Sequence, residues 1–150
     1  MCARFKTSAT SQIMVAPVPE AEVNKYCLAD CNGTGLCAGE STQIFDMFEN
    51  PAVDEAPSNL AVVGRYVLSS SIWHLLARTP AGAGGEIQLT DAIDIRLVSE
   101  KVETFHMSGK FHDCGDKLGH MAAFVEYGLR DPNLGEDFQV SLQSMLLSPK

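Results

Sequence analysis

At 150 residues the chain can fill one ordinary domain, and a composition of 45% hydrophobic and 20% charged residues is globular and excludes global disorder. With 19 acidic against 11 basic residues the formal charge is -8, a balance that repels a polyphosphate backbone and excludes non-specific nucleic-acid binding. No apolar run approaches the roughly 20 residues that cross a bilayer, and Met1 to Lys6 lacks the continuous apolar segment of a secretion signal, so a cytoplasmic chain with no membrane partner is expected.

In chain order, Gln12 to Val15 and Tyr26 to Asp30 read as short strands, kept apart by Pro17 and Pro19. Asn32-Gly33-Thr34-Gly35 is a turn, and Ile44 to Phe48 reads as a third strand, so the first third predicts a hairpin or meander. Pro51 to Pro57 is a connection. Leu60 to Leu68 is nearly continuous in apolar and β-branched residues, which predicts a strand covered on both faces and interrupted at Gly64 by a bulge or a close approach. Ser69, Ser70 or Ser71 then caps a helix whose apolar face is Ile72, Leu75 and Leu76.

Thr79-Pro80 and the glycines to Gly85 end that helix in a flexible loop. Glu86 to Val98 predicts another helix with Leu89, Ile93 and Leu97 on one side, a pattern blurred by Ile95 and Arg96. Val102 to Met107 alternates as a strand that turns at Ser108-Gly109. Leu118, Met121, Ala122, Val125 and Leu129 recur every three or four residues, the clearest helix of the chain, with one broad face expected to be buried. After Asp131-Pro132-Asn133, a last amphipathic segment uses Leu134, Phe138, Leu142 and Leu146. Strands followed by helices favour an α/β unit over an all-β module.

Five cysteines cannot all pair within one chain, and reduced thiols are expected. Cys27, Cys31 and Cys37 are spaced C-x3-C-x5-C, which is not the tight paired spacing of a zinc knuckle, and His74, His106, His112 and His120 supply no partner pattern.

Asp113, in Phe111-His112-Asp113-Cys114-Gly115 ahead of the clearest helix, reads either as an acidic helix cap or as a carboxylate for a hard cation such as Mg2+. Glu49, at the end of a strand in Phe48-Glu49-Asn50-Pro51, is either a solvated edge carboxylate or an acceptor for two sugar hydroxyls. Asp30, Ser58 and Asn59 offer polar groups at strand margins, where each also stabilises a turn. Glu86 and Asp91 suit a helix start and could also meet a polar ligand.

The ordered series Ser11-Gln12-Ile13-Met14-Val15, Gly39-Glu40-Ser41, Glu49-Asn50-Pro51, Ala56-Pro57-Ser58-Asn59-Leu60 through Leu68, Gly82 through Ile93, and His112-Asp113-Cys114-Gly115-Asp116-Lys117-Leu118-Gly119 resembles the bacterial UTP-glucose-1-phosphate uridylyltransferase family. The resemblance implies a partial Rossmann-like nucleotide-diphospho-sugar transferase fold, a mixed sheet with flanking helices, and a reaction that joins UTP and glucose 1-phosphate into UDP-glucose and pyrophosphate. It implies that Glu49 binds glucose hydroxyls, that Tyr26, Cys27 and Asn59 border the sugar, that Asn50 faces the sugar phosphate, and that Asp113 coordinates Mg2+. No residue of this chain is assigned as the attacking group.

Three positions depart from the family pattern: Asn50 stands for a lysine, Cys27 for a glycine, and Gly85 for an aspartate. The resemblance also implies that residues 1–150 are the C-terminal, sugar-side portion of the nucleotidyltransferase domain, and that the glycine-rich nucleotide loop belongs to an N-terminal portion outside this chain. The expected partners are therefore that complementary portion, or a second copy of the chain covering surfaces the portion would cover. Two alternatives remain open: an inactive remnant serving as an assembly module, and a uridylyltransferase for another hexose 1-phosphate.

Overall fold

β1, Ser11–Pro17, is the strand around which the structure is organised, because it alone is nearly solvent-free on both faces. The computed structural model describes residues 1–82 and 85–147; Ala83 and Gly84 of the expected glycine loop lie outside the described residues. The chain divides into two compact units, Met1–Gly109 and Lys110–Lys150.

In the first unit β1 pairs antiparallel with β4, Leu60–Val67, and parallel with β5, Val102–His106. β2, Cys27–Asp30, joins β4 through Leu28 opposite Ala61 and carries β3, Asp46–Glu49, on its outer edge. The order β3-β2-β4-β1-β5 is a mixed sheet, the α/β class expected from the sequence. Only β2 and β3 form the expected antiparallel pair. The meander does not extend to β1, because β4 inserts between β1 and β2 and claims the inner edges of both.

The double cover expected for β4 is also corrected. Leu60 and Ala61 are buried, but Gly64 and Arg65 are exposed. The cause is the interruption expected at Gly64: Ile13 pairs with Tyr66 while Val15 pairs with Val62, so β4 carries extra residues through the bulge, and Gly64 adopts φ 68.

One face of the sheet is closed by α2, Ile72–Leu76, and α3, Leu89–Leu97. Ile13, Val15, Ala29, Met47 and Leu60 meet Ile72, Ala92 and Ile93 in one core, where each fully buried aliphatic side chain is worth about 1.5–3 kcal/mol. Arg96, which blurs the helical pattern in the sequence, is only 1% exposed. Its guanidinium donates to Ser71 Oγ and Ser69 Oγ, each at 2.5 Å, and pairs with Glu100, tying α3 to the start of α2. The serines expected to cap α2 are thus spent on Arg96; Ser71 occupies the cap position without a side-chain bond to the helix. Beside β1 and β5, Arg4 of α1, Cys2–Ser8, contacts Glu103 at 2.6 and 3.0 Å, and Gln12 donates to the same carboxylate at 2.8 Å. The arginine bond is the main cause that holds the Glu103 carboxyl below its usual range.

The second unit is a helix pair, α4, Lys117–Leu129, and α5, Gly135–Leu147. Phe124 meets Phe138 edge-on with ring centroids 6.0 Å apart, and Glu126 gathers Lys110 at 2.5 Å, His112 at 3.3 Å and Arg130. The periodicity located α4 correctly, but its broad buried face is corrected: Leu118 is 74% exposed and Met121 65%, while Ala123 is the buried residue. A pair of helices has one mutual seam, which is too little to cover a wide apolar stripe on each. Among the described residues no helix is long and apolar enough to cross a membrane.

Candidate functional site

Antiparallel pairing of β2 with β3 sets Cys27 directly opposite Glu49. The Asn50 N–H donates to the Tyr26 carbonyl at 3.1 Å, which makes the next pair, Cys27 and Glu49, the non-hydrogen-bonded kind whose side chains stand closer together. Asn50 itself has φ 47, a left-handed conformation that asparagine tolerates better than most side chains. Pro51 then directs the chain away.

Across this corner Cys27 is the direct cross-strand neighbour of Glu49. Burial first, then the neighbouring Glu49 charge, push the thiol up to about 12, so it stays protonated at neutral pH. Tyr66 of β4 is raised by burial and then by Cys27 and Glu49. Asp94 of α3 is pushed up to about 6, by burial and then by Asp46, Asp91 and Glu49, and its Oδ1 is buried without a hydrogen-bond partner. A Cβ at Gly82 would lie 2.7 Å from Asp91 Oδ2, so the Asp91 side chain would have to shift to admit one.

The structure therefore brings four expected site residues together, Tyr26, Cys27, Glu49 and Asn50. Asn59 is placed elsewhere: Leu28 pairs with Ala61, which sets Asn59 beside Asp30 at the far end of β2 from Cys27. Its side chain donates to the Val18 carbonyl at 3.2 Å and lines a cavity of about 300 Å³ with Glu20, Val23, Val53, Ala56 and Ser58. Ser58 Oγ donates to the Ala29 carbonyl at 2.7 Å and accepts from Leu60 N–H at 3.1 Å, so it acts as the turn residue the sequence allowed. Tyr66 and Asp94 were missed. The signal for Asp94 was its spacing of three from Asp91, which sets both carboxylates on one helix face.

In the second unit Asp113 is exposed, and its Oδ1 accepts the Gly115 N–H at 2.9 Å. The capping alternative is corrected: Asp116 is the N-cap of α4 and accepts the Gly119 N–H at 2.8 Å. The two aspartates lie three positions apart, and it is Asp116 that stands in extended backbone, φ -85 and ψ 136, immediately before the first helical turn. Among the described residues no group of three or more His, Cys, Asp or Glu side chains could hold a metal ion. A single exposed carboxylate still fits Mg2+ as one ligand, since that ion is commonly bound by one or two carboxylates together with substrate phosphates and water.

No family model matches the chain. Over 145 residues it is 54% identical to the UTP–glucose-1-phosphate uridylyltransferase of Haemophilus influenzae, covering 97% of this chain and 49% of that protein. Over 143 residues it is 57% identical to the UTP–glucose-1-phosphate uridylyltransferase of Escherichia coli strain K12, covering 95% of this chain and 47% of that one. This chain is homologous to half of a UTP–glucose-1-phosphate uridylyltransferase. A solved structure described as UTP-bound UGPase from Acinetobacter baumannii superposes with a TM-score of 0.87 at 42% identity, covering 99% of this chain and 49% of that one. The sheet and its flanking helices are thus the Rossmann-like nucleotidyltransferase fold of these relatives, and the chain spans about half their length.

Proposed function

We propose that the chain is the C-terminal, sugar-side portion of a UTP–glucose-1-phosphate uridylyltransferase, acting in the cytoplasm with a nucleotide-binding portion to make UDP-glucose and pyrophosphate. The observation that carries this reading is identity of 54% and 57% to two such enzymes along nearly all of this chain and half of theirs. The corner at Glu49 supports it: an exposed carboxylate at a strand end, flanked by a thiol and a phenol held in their neutral forms, can accept hydroxyl hydrogens from a sugar ring.

In this reading Glu49 accepts the glucose hydroxyls, Tyr26 and Cys27 wall the ring, and Asn50 donates to the sugar phosphate without supplying charge. Asp113 would hold Mg2+, which supplies charge neutralisation to the phosphate oxygens when bound. The sugar-phosphate oxygen is the nucleophile towards the α-phosphorus of UTP, and pyrophosphate leaves. Cys27, a side chain at the ring wall where the family pattern has glycine, supports a second sugar specificity, so other hexose 1-phosphates belong in the assay.

The test compares UTP- and Mg2+-dependent nucleotide-sugar formation by this chain alone and by this chain fused behind the N-terminal half of the Haemophilus influenzae relative. Turnover is expected from the fusion only. In the fusion Asp113→Asn should lower kcat by at least about tenfold, the loss of one charged contact to the reacting phosphates. Equal turnover by the chain alone would overturn the division of labour, and a well-folded but inactive fusion would favour the inactive assembly module.

A further inference from the structure

The thiol of Cys27 stands at the proposed sugar corner where the family pattern has no side chain, and the structure gives it a definite partner. Its Cα is registered against that of Glu49 in the closer kind of antiparallel pair, fixed by the Asn50 N–H to Tyr26 carbonyl bond on the adjoining pair. β4 lies on the other side of β2, and Cys27, Val62 and Tyr66 pack against the same core face. The Cys27 side chain therefore stands on the core-facing side of β2, next to Glu49 across the strand pair.

We propose that Cys27 is a positioning residue for Glu49: its S–H donates to the carboxylate, fixes the carboxylate's orientation, and leaves its remaining lone pairs to the substrate. A free glutamate at a strand end samples several rotamers, and ordering it on binding costs side-chain entropy. A donor already in place removes part of that cost. A carboxylate has about four acceptor positions, so one thiol bond leaves room for a pair of ring hydroxyls. The consequence for sugar recognition rests on the proposed function; the thiol–carboxylate contact does not, and it can be measured without any substrate.

The first arm uses the 150-residue chain alone and follows iodoacetamide alkylation of each cysteine by peptide mass spectrometry at pH 8.5. Cys2, Cys37 and Cys114 are exposed and should react first; Cys31 is buried and serves as the internal reference. Glu49→Gln should raise the Cys27 rate relative to Cys31 by about threefold to tenfold, because each pKa unit removed multiplies the thiolate fraction tenfold and burial, which is the larger cause, remains. An unchanged ratio overturns the proposal, whatever the enzyme does. The second arm uses the fusion described above. Cys27→Ala should raise KM for glucose 1-phosphate by about two- to tenfold, the net worth of one hydrogen bond, and by more than kcat falls. Cys27→Ser should restore most of it, since the hydroxyl keeps the donor. A fall in KM in Cys27→Ala, or no rescue by serine, refutes positioning. If the fusion is inactive, the fault lies with the proposed function and the alkylation ratio decides the contact alone.

Discussion

Asp94 is the residue at which the structure works against its own stability, and removing its charge should strengthen the fold. Burial and the neighbouring carboxylates Asp46, Asp91 and Glu49 lift its pKa from the ordinary 3.8 to about 6. A shift of that size corresponds to a ceiling of about 3 kcal/mol, and because Asp94 is only half-buried, solvent screening reduces the expected figure to about 1 kcal/mol. The folded state binds the proton more tightly than the unfolded state, so stability falls as pH rises through the interval between the two pKa values. The penalty is absent below about pH 4, grows between pH 4 and 6, and is complete above pH 6. Asp94→Asn should therefore gain about 1 kcal/mol at pH 7.5, or roughly 2–4 °C in Tm, and almost nothing near pH 4. Urea unfolding followed by far-ultraviolet circular dichroism at the two pH values is the assay. A gain of equal size at both would refute the electrostatic cause, and a loss at pH 7.5 would refute the crowding of carboxylates altogether.

Two other perturbations test the packing of the two units. Arg96→Met should cost about 2–4 kcal/mol in urea unfolding, because it removes the donors to Ser69 and Ser71 and the pairing with Glu100 that join α3 to α2. Gly128→Ala should cost about 1–3 kcal/mol, since its Cβ would fall 2.6 Å from the Phe138 ring; faster hydrogen exchange of the α5 amides checks it.

What the sequence disclosed follows the range of each signal. Local patterns located β2, β5, α4 and the bulge at Gly64, because alternation, helical spacing and an interrupting glycine are written within a few residues. Register is not local: the insertion of β4 between β1 and β2 is settled by which edges bury the most, and no pattern within Gln12 to Asp30 records it. The exposed stripe of α4 failed for a related reason, since periodicity identifies an apolar face but not the surface that covers it. Arg96 is the sharpest case. A charged residue on an apolar helix face reads as noise until Ser69, Ser71 and Glu100 are seen around it. The family resemblance singled out Cys27 and Glu49 separately; that they face each other needed the β2–β3 register.

Three different side chains around this corner shift in the same direction. Cys27, Tyr66 and Asp94 are each displaced towards the neutral form, first by burial, and each also by Glu49. One charge at a half-desolvated sheet corner suppresses the next, because at an effective dielectric near 20 two charges about 6 Å apart repel by roughly 3 kcal/mol. At neutral pH the corner sets a protonated thiol and a protonated phenol beside Glu49, while Asp94, pushed up only to about 6, is the one of the three already ionised. Such a corner offers matched donors and acceptors to a polyol and repels a phosphate. Asn50, a neutral donor where the family pattern has lysine, does nothing to change that balance. Under the proposed function the charge for transfer would come from Mg2+ at Asp113 and from basic groups of the nucleotide-binding portion, which is why turnover is expected of the fusion and not of the chain alone.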